Sequence, residues 1–137
     1  MIPFKVGDDA AITKRITHED VLMFAEVSTD NNPVHMDDAF ASKTRFKKRI
    51  AHGIISAGLI SAVIGTKLPG VGAIYLSQTL KFKAPVFIGD VITARAIVKA
   101  VREDKPIMTL QTVCTNQDGL EVTEGEAVVM YDPPSEG

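Results

Sequence analysis

The residues best suited to acid–base chemistry lie in one heptapeptide, TDNNPVH, residues Thr29 to His35. A carboxylate (Asp30) and an imidazole (His35) held by a proline-containing turn can share one water and move its protons in either direction. Spacing alone equally admits an Asx-turn followed by a capping or surface histidine. Asn32 and Pro33 define the turn between them: proline disfavours a helical conformation at the preceding residue, and asparagine side chains bond nearby backbone. Gly53 is a second element. It stands where a loop enters a long apolar run, so its N–H can meet a developing oxyanion with help from the helix dipole. Glycine is also an ordinary residue at a helix start. Ser56 and Ser61 lie farther along that run, where hydroxyls commonly bond back to the preceding turn, and neither has a His–acid partner in sequence. Asp30, His35 and His52 have the right chemistry for a metal, but no HxxxH or CxxC pair accompanies them, and no metal is expected. In the basic loop KTRFKKR, Lys43, Arg45, Lys47, Lys48 and Arg49 form either a phosphate-receiving surface or a solvated face.

These groups need elements to position them. THEDVLMFAEVS opens with Thr17 as N-cap and Asp20 three residues later, followed by Val21, Phe24 and Ala25 at helical spacing, which predicts a short amphipathic helix with an exposed His18 at its start. TDNNPVH ends it. VHMDDAFASKT is expected as one further short helix, with Asp37 and Asp38 near its positive end and Lys43 near its negative end. HGIISAGLISAVIGTKL carries no acid and a single charge, Lys67, which suits a helix enclosed on most sides. Gly58, Gly65, Ala57 and Ala62 would let other backbone approach it closely, offsetting about 1 kcal/mol of helix propensity per glycine.

After the loop LPGVG the period changes to that of strands. ITARAIVKAV puts Ile92, Ala94, Ala96, Val98 and Ala100 on one face, with Thr93, Arg95 and Lys99 on the other. REDKP is a turn, IMTLQTVCTN a second long strand, QDG a hairpin signal and LEVTEGEAVVMY a third strand, together an antiparallel meander. IYLSQTLKF and AAITKRI bring the total to about five strands, close to the usual size of one sheet. The tail DPPSEG is expected to fray. One apolar helix and a long antiparallel sheet make an α+β fold, the sheet wrapped around the helix.

The chain has 137 residues, enough for one domain (1–137) that buries roughly 70% of the surface its unfolded form would expose. A formal charge of −2 gives no electrostatic reason to expect nucleic acid. The single cysteine, Cys114, reads as a small buried hydrophobe within a strand. No apolar run is long enough to cross a bilayer and the N-terminus lacks a leader-like core, so a cytoplasmic protein is expected.

Asp30-Asn31-Asn32-Pro33-Val34-His35 resembles the D-x-N-P-x-H signature of the MaoC-like, hydratase 2 family of (R)-specific enoyl-CoA hydratases. The similarity extends through Ala41 at a small-residue position, His52-Gly53, Ser61, FKAPVFIGD (82–90) and EDKPIMTLQT (103–112), covering nearly the whole chain. Thr29 departs from it, since many members have glycine before the acid. The resemblance implies a hot-dog fold, and a homodimer with a substrate tunnel close to the subunit interface. It further implies reversible syn addition of water to a trans-2-enoyl thioester, giving the (R)-3-hydroxyacyl thioester with no metal or redox cofactor. Asp30 and His35 would be catalytic. Gly53, Asn32, Ser61 and Ile64 would serve the oxyanion and the substrate, tunnel depth depending on how Ser61, Ile64 and Val129 meet. The basic loop would suit the phosphates of coenzyme A or of acyl-carrier protein. β-Oxidation, fatty-acid synthesis and polyhydroxyalkanoate precursor supply all use this reaction. Two alternatives stay open, a hot-dog acyl-CoA thioesterase and a non-catalytic acyl-thioester binding module. The acid-free stretch Ile54 to Leu68 speaks against the first, and the retained signature with His52-Gly53 against the second.

Overall fold

A computed structural model describes residues 2–135. Its elements run β1 (Asp9–Arg15), α1 (His18–Ser28), α2 (Pro33–Met36), α3 (Asp38–Ser42), α4 (Ile54–Thr66), β2 (Ala73–Gln78), β3 (Lys81–Phe82), β4 (Val91–Val101), β5 (Ile107–Thr115) and β6 (Glu121–Tyr131). All pairings are antiparallel, in the order β1-β4-β5-β6-β2, with the short β3 also on β6. β4, β5 and β6 form the expected meander. The tail was expected to fray through Gly137; residues 136–137 lie outside those described.

Helix α4 packs on β4, β1 and β5. Leu59, Ile60, Val63 and Ile64 from the helix join Ile92, Ala94, Ala96, Val98, Met108 and Leu110 from the strands in one buried cluster. The alanines on β4 leave room for the branched side chains of α4 to sink between strands, the kind of interdigitation that close packing requires. The helix is less enclosed than its composition suggested. Ile54, Gly58, Ser61 and Gly65, spaced four, three and four residues apart, form an exposed stripe. Nothing lies within 4 Å of where a Cβ would stand at Gly58 or Gly65, so within this chain neither glycine serves a close backbone approach.

Three further expectations need correction. VHMDDAFASKT forms two helices rather than one, because Asp37 is extended (φ −128, ψ 112) and its carboxylate caps α3 by accepting from the Phe40 N–H at 3.1 Å. On β4, Ala100 is exposed and not buried, since a bulge between Val98 and Ala100 shifts the register and reverses which face the next residue meets. IYLSQTLKF is two strands, giving six in all. β2 carries a register shift between Tyr75 and Ser77, and the chain then stays beside β6 through Thr79, whose N–H donates to Glu126 O (2.9 Å) while its Oγ1 accepts from Glu126 N–H (2.9 Å).

Cys114 is buried beside α4, its Sγ 3.7 Å from the Ser56 carbonyl oxygen, and burial pushes its pKa up to about 12. Its thiolate population at pH 8 is therefore negligible. A thiol reagent at pH 8 should leave the native protein unlabelled and modify one site only in denaturant; rapid native labelling would contradict this burial.

Candidate active site

The capping box at the start of α1 is present as expected, with Thr17 Oγ1 accepting from Asp20 N–H (3.1 Å) and the Asp20 carboxylate accepting from Thr17 N–H (2.9 Å). At its other end the helix stops at Thr29, whose φ of +66 puts it in the left-handed region. That conformation favours glycine and is costly for a β-branched residue. It explains physically why a glycine suits this position, and it turns the chain abruptly so that Asp30 leaves the helix axis. Replacing Thr29 with glycine should stabilise the fold by about 1 kcal/mol, the relieved strain exceeding the added chain entropy. Urea denaturation tests this, and a loss of stability would show that the Thr29 side chain makes compensating contacts.

Beyond Thr29 the turn is built from nested side-chain bonds. Ser28 Oγ accepts from Asp30 N–H (3.1 Å), Asp30 Oδ1 from Asn32 N–H (3.2 Å), and Asn32 Oδ1 from Val34 N–H (3.1 Å). Asn32 is extended (φ −52, ψ 129), as a residue before proline should be, and Pro33 begins α2. The Asn32 side-chain oxygen is thus spent as the cap of α2.

His35 sits on α2 with its ring half-buried. Its Nδ1 lies 2.7 Å from the Ile50 carbonyl oxygen, and because a carbonyl only accepts, Nδ1 carries the hydrogen. Burial pushes the His35 pKa below 6.5, opposed by the bond to Ile50 and by Asp30, and assisted by His52 and Arg49. The neutral ring therefore presents Nε2 as a lone pair. Asp30, His35 and His52 each place one polar atom within 4.8 Å of the other two. Two hydrogen bonds of about 2.8 Å meeting at one water oxygen span about 4.6 Å, so a single water can bridge Asp30 and His35. This is also the donor set weighed as a metal site. The His35 and His52 rings stack at a tilt, with centroids 4.0 Å apart and planes inclined by 31°.

Gly53 is the N-cap of α4, and its N–H has no intramolecular acceptor among the described residues. Beside it opens a cavity of about 360 Å³ whose lining includes His35, Gly53, Phe82, Pro85, Val86 and Arg45. A Cβ at Gly53 would come within 2.9 Å of the Phe82 ring, so the absence of a side chain keeps both the N–H and the cavity wall open. Asp30 is exposed and does not itself line this cavity, which it meets through His35.

The remaining sequence-derived candidates divide. Ser61 lies on the exposed stripe of α4, roughly 12 Å along the axis from Gly53 at about 1.5 Å per residue. Ile64 and Val129 are both buried in the core. None of the three borders the cavity beside His35. Lys43, Lys47 and Lys48 are exposed, Lys48 standing over the Phe87 ring at 4.5 Å, while Arg45 stacks on Phe46 at 5.0 Å and reaches the cavity. Arg49, placed among the phosphate contacts from sequence, instead turns inward and is only 9% exposed. Its Nε donates to the His35 carbonyl (2.7 Å) and its Nη1 to His18 Nδ1 (3.0 Å), which ties α2 to the start of α1. Sequence reasoning assigned no role to His52 beyond the metal set. It is 3% exposed, between Phe24 and His35, and its Nε2–H donates to the Asp30 carbonyl at 2.8 Å.

Residues 6–118 match the family of MaoC like domains. An (R)-specific enoyl-CoA hydratase of Rhodospirillum rubrum is 52% identical over 126 residues, covering 92% of this chain and 87% of that protein. A mitochondrial 3-hydroxyacyl-[acyl-carrier-protein] dehydratase of Arabidopsis thaliana is 39% identical, covering 92% and 76%. Among solved structures, an (R)-hydratase from A. caviae involved in PHA biosynthesis superposes with a TM-score of 0.92 at 48% identity, covering 96% of this chain and 98% of its own. These neighbours share the hot-dog fold, here a six-stranded antiparallel sheet with α4 packed against it.

Proposed function

As the chain belongs to the family of MaoC-like domains, we propose that it is an (R)-specific enoyl-CoA hydratase, a hydro-lyase that adds water reversibly across a trans-2-enoyl thioester. The observation that carries this reading is the pairing of a carboxylate and a neutral imidazole across one water's width, beside an uncommitted N–H at the start of α4.

The water donates one hydrogen to Asp30 and the other to His35 Nε2, which frees an oxygen lone pair for C3. As the C3–O bond forms, the π electrons of the double bond move toward C2 and the thioester oxygen, where the Gly53 N–H receives the growing negative charge. Nε2 starts without a hydrogen, so the resting His35 has no proton to give; the proton that reaches C2 is one of the water's own. Acid and nucleophile then act from a single face, which gives syn addition. Positioned acid–base catalysis contributes roughly 10²–10⁴-fold and an oxyanion donor roughly 10²–10³-fold, so both parts are needed.

Because only the neutral ring can accept, and burial holds the His35 pKa below 6.5, the acid limb of kcat/KM should fall below pH 6.5. A pH–rate profile measures it, and a limb above 6.5 contradicts the assignment of His35 as acceptor.

A homodimer fits the surface. β2 is a sheet edge that exposes Ile74 (43%), Tyr75 (37%) and Leu76 (47%), an unprotected arrangement that proteins normally cover. A second copy paired along this edge would cover these side chains, and a partner covering the exposed stripe of α4 would bring Ser61 into a tunnel wall. Arg45 at the cavity, with Lys43, Lys47 and Lys48 nearby, suits the phosphates of either coenzyme A or acyl-carrier protein. Among the described residues no helix is long and apolar enough to cross a membrane. Cytoplasmic fatty-acid metabolism, including polyhydroxyalkanoate precursor supply, is the setting proposed for the enzyme. Loss of the enoyl-thioester absorbance of crotonyl-CoA, followed in parallel with free-thiol release, tests the function. Hydration without thiol release is expected. Rapid thiol release from saturated acyl-CoA would make the protein a thioesterase, and tight binding without turnover a binding module.

A further inference from the structure

We propose, resting on that reading, that His52 is a positioning residue whose Nε2–H holds Asp30 at its working distance from His35. Asp30 is exposed and leaves α1 through a left-handed residue. Its hydrogen bonds to Ser28 and Asn32 are local to the turn and travel with it. Among the described residues, its one hydrogen bond to a distant part of the chain is the 2.8 Å bond from His52 Nε2 to its carbonyl oxygen. The same imidazole stacks at a tilt on His35, centroids 4.0 Å apart. His52 thus touches both members of the pair, Asp30 at its backbone carbonyl through an edge atom and His35 through a ring face.

The identity of the residue supports this reading. The His52 ring is almost fully buried between Phe24 and His35, and its Nδ1 is buried with no hydrogen-bond partner. For packing alone, phenylalanine would fill the same slab of space without an orphaned polar atom, which is a cost proteins usually avoid. What phenylalanine cannot do is donate to the Asp30 carbonyl. His52 also directly precedes Gly53, so one short segment fixes the carboxylate, the imidazole and the oxyanion donor relative to one another. Misplacing a catalytic group by about 1 Å costs on the order of 10²-fold in rate.

The test compares His52→Phe, which keeps a ring, with His52→Gln, whose terminal amide reaches as far as Nε2 and still donates. Thermal melts report folding, and kcat and KM for crotonyl-CoA hydration are measured separately. His52→Phe is expected to remain folded and to lose about 10²-fold in kcat, with KM changed by less than about threefold, because the carbonyl-binding N–H and the cavity are untouched. His52→Gln is expected to recover most of that loss. Wild-type kcat in His52→Phe overturns the inference, and so does a kcat in His52→Gln as low as in His52→Phe. Should His52→Phe not fold, His52→Gln against His52→Asn carries the same contrast, since the shorter amide does not reach the Asp30 carbonyl; equal kcat values overturn the inference. Absence of hydration by the wild-type protein is the separate outcome that would overturn the reading beneath it.

Discussion

Replacing Asp30 with asparagine, or His35 with alanine, is expected to lower kcat for crotonyl-CoA hydration by about 10²–10⁴-fold while the protein remains folded. The expectation of an intact fold comes from what each group touches. The Asp30 carboxylate is exposed and its structural duty is one bond from Asn32 N–H, which an asparagine oxygen can also accept. His35→Ala leaves the Ile50 carbonyl without its partner and removes the ring from His52, a loss of about 1 kcal/mol for the hydrogen bond, well within the reserve of a domain this size. Neither change affects the Gly53 N–H, so the oxyanion contribution persists and KM should move little. Circular dichroism establishes folding and steady-state kinetics the rate. Wild-type-like turnover in both variants would remove the basis of the assignment.

Gly125→Ala is expected to have the largest effect on stability, a loss of about 3 kcal/mol. Gly125 lies on β6 where that strand hands over from pairing with β2 to pairing with β3. The segment linking β2 and β3 runs alongside it in the same antiparallel register with the Thr79 carbonyl turned toward it, and a Cβ there would stand 1.8 Å from the Thr79 carbonyl oxygen and 2.7 Å from its carbon. Those are backbone atoms, which no rotamer change can move aside. Thr79 is moreover fixed by two bonds to Glu126. Relief requires this edge segment to move away from β6, and β3 begins two residues later with Lys81 and Phe82, the ring that lies over Gly53. The variant should therefore show a lowered denaturation midpoint and, in the fraction that folds, a raised KM. Unchanged stability would mean that the Thr79 carbonyl sits farther from Gly125 than these distances give.

The contrast between these two positions marks what the sequence discloses. TDNNPVH carries its turn chemistry in local side chains, so its conformation and the start of α2 were readable residue by residue. The capping box of α1, the apolar α4 and the hairpin-linked strands β4 to β6 were equally local signals. Gly125 is different: its meaning depends on a strand segment nearly fifty residues earlier, and nothing in EVTEGEAVV says that the Thr79 carbonyl is turned onto it. Ala100 failed for a related reason, since a bulge moves the alternation by one without changing composition. Arg49 and His52 show the same limit within the site. A basic loop suggests solvent for every member, yet Arg49 faces the His35 carbonyl. His52 is recognisable as polar and adjacent to Gly53, but its bond to Asp30 spans twenty-two positions. The exposed stripe of α4 was hidden by its apolar composition, which reads as burial whether the cover is this chain or another.

In the proposed reaction one water, held by Asp30 and His35, supplies both the hydroxyl at C3 and the hydrogen at C2 from a single face. Hydration of a trans-2-enoyl-CoA in deuterated water, with the product resolved by chiral chromatography and its relative configuration read from the C2–C3 proton coupling, tests it most directly. The expected product is an (R)-3-hydroxyacyl-CoA bearing deuterium at C2 on the same face as the hydroxyl. An (S) product, or deuterium on the opposite face, would contradict it.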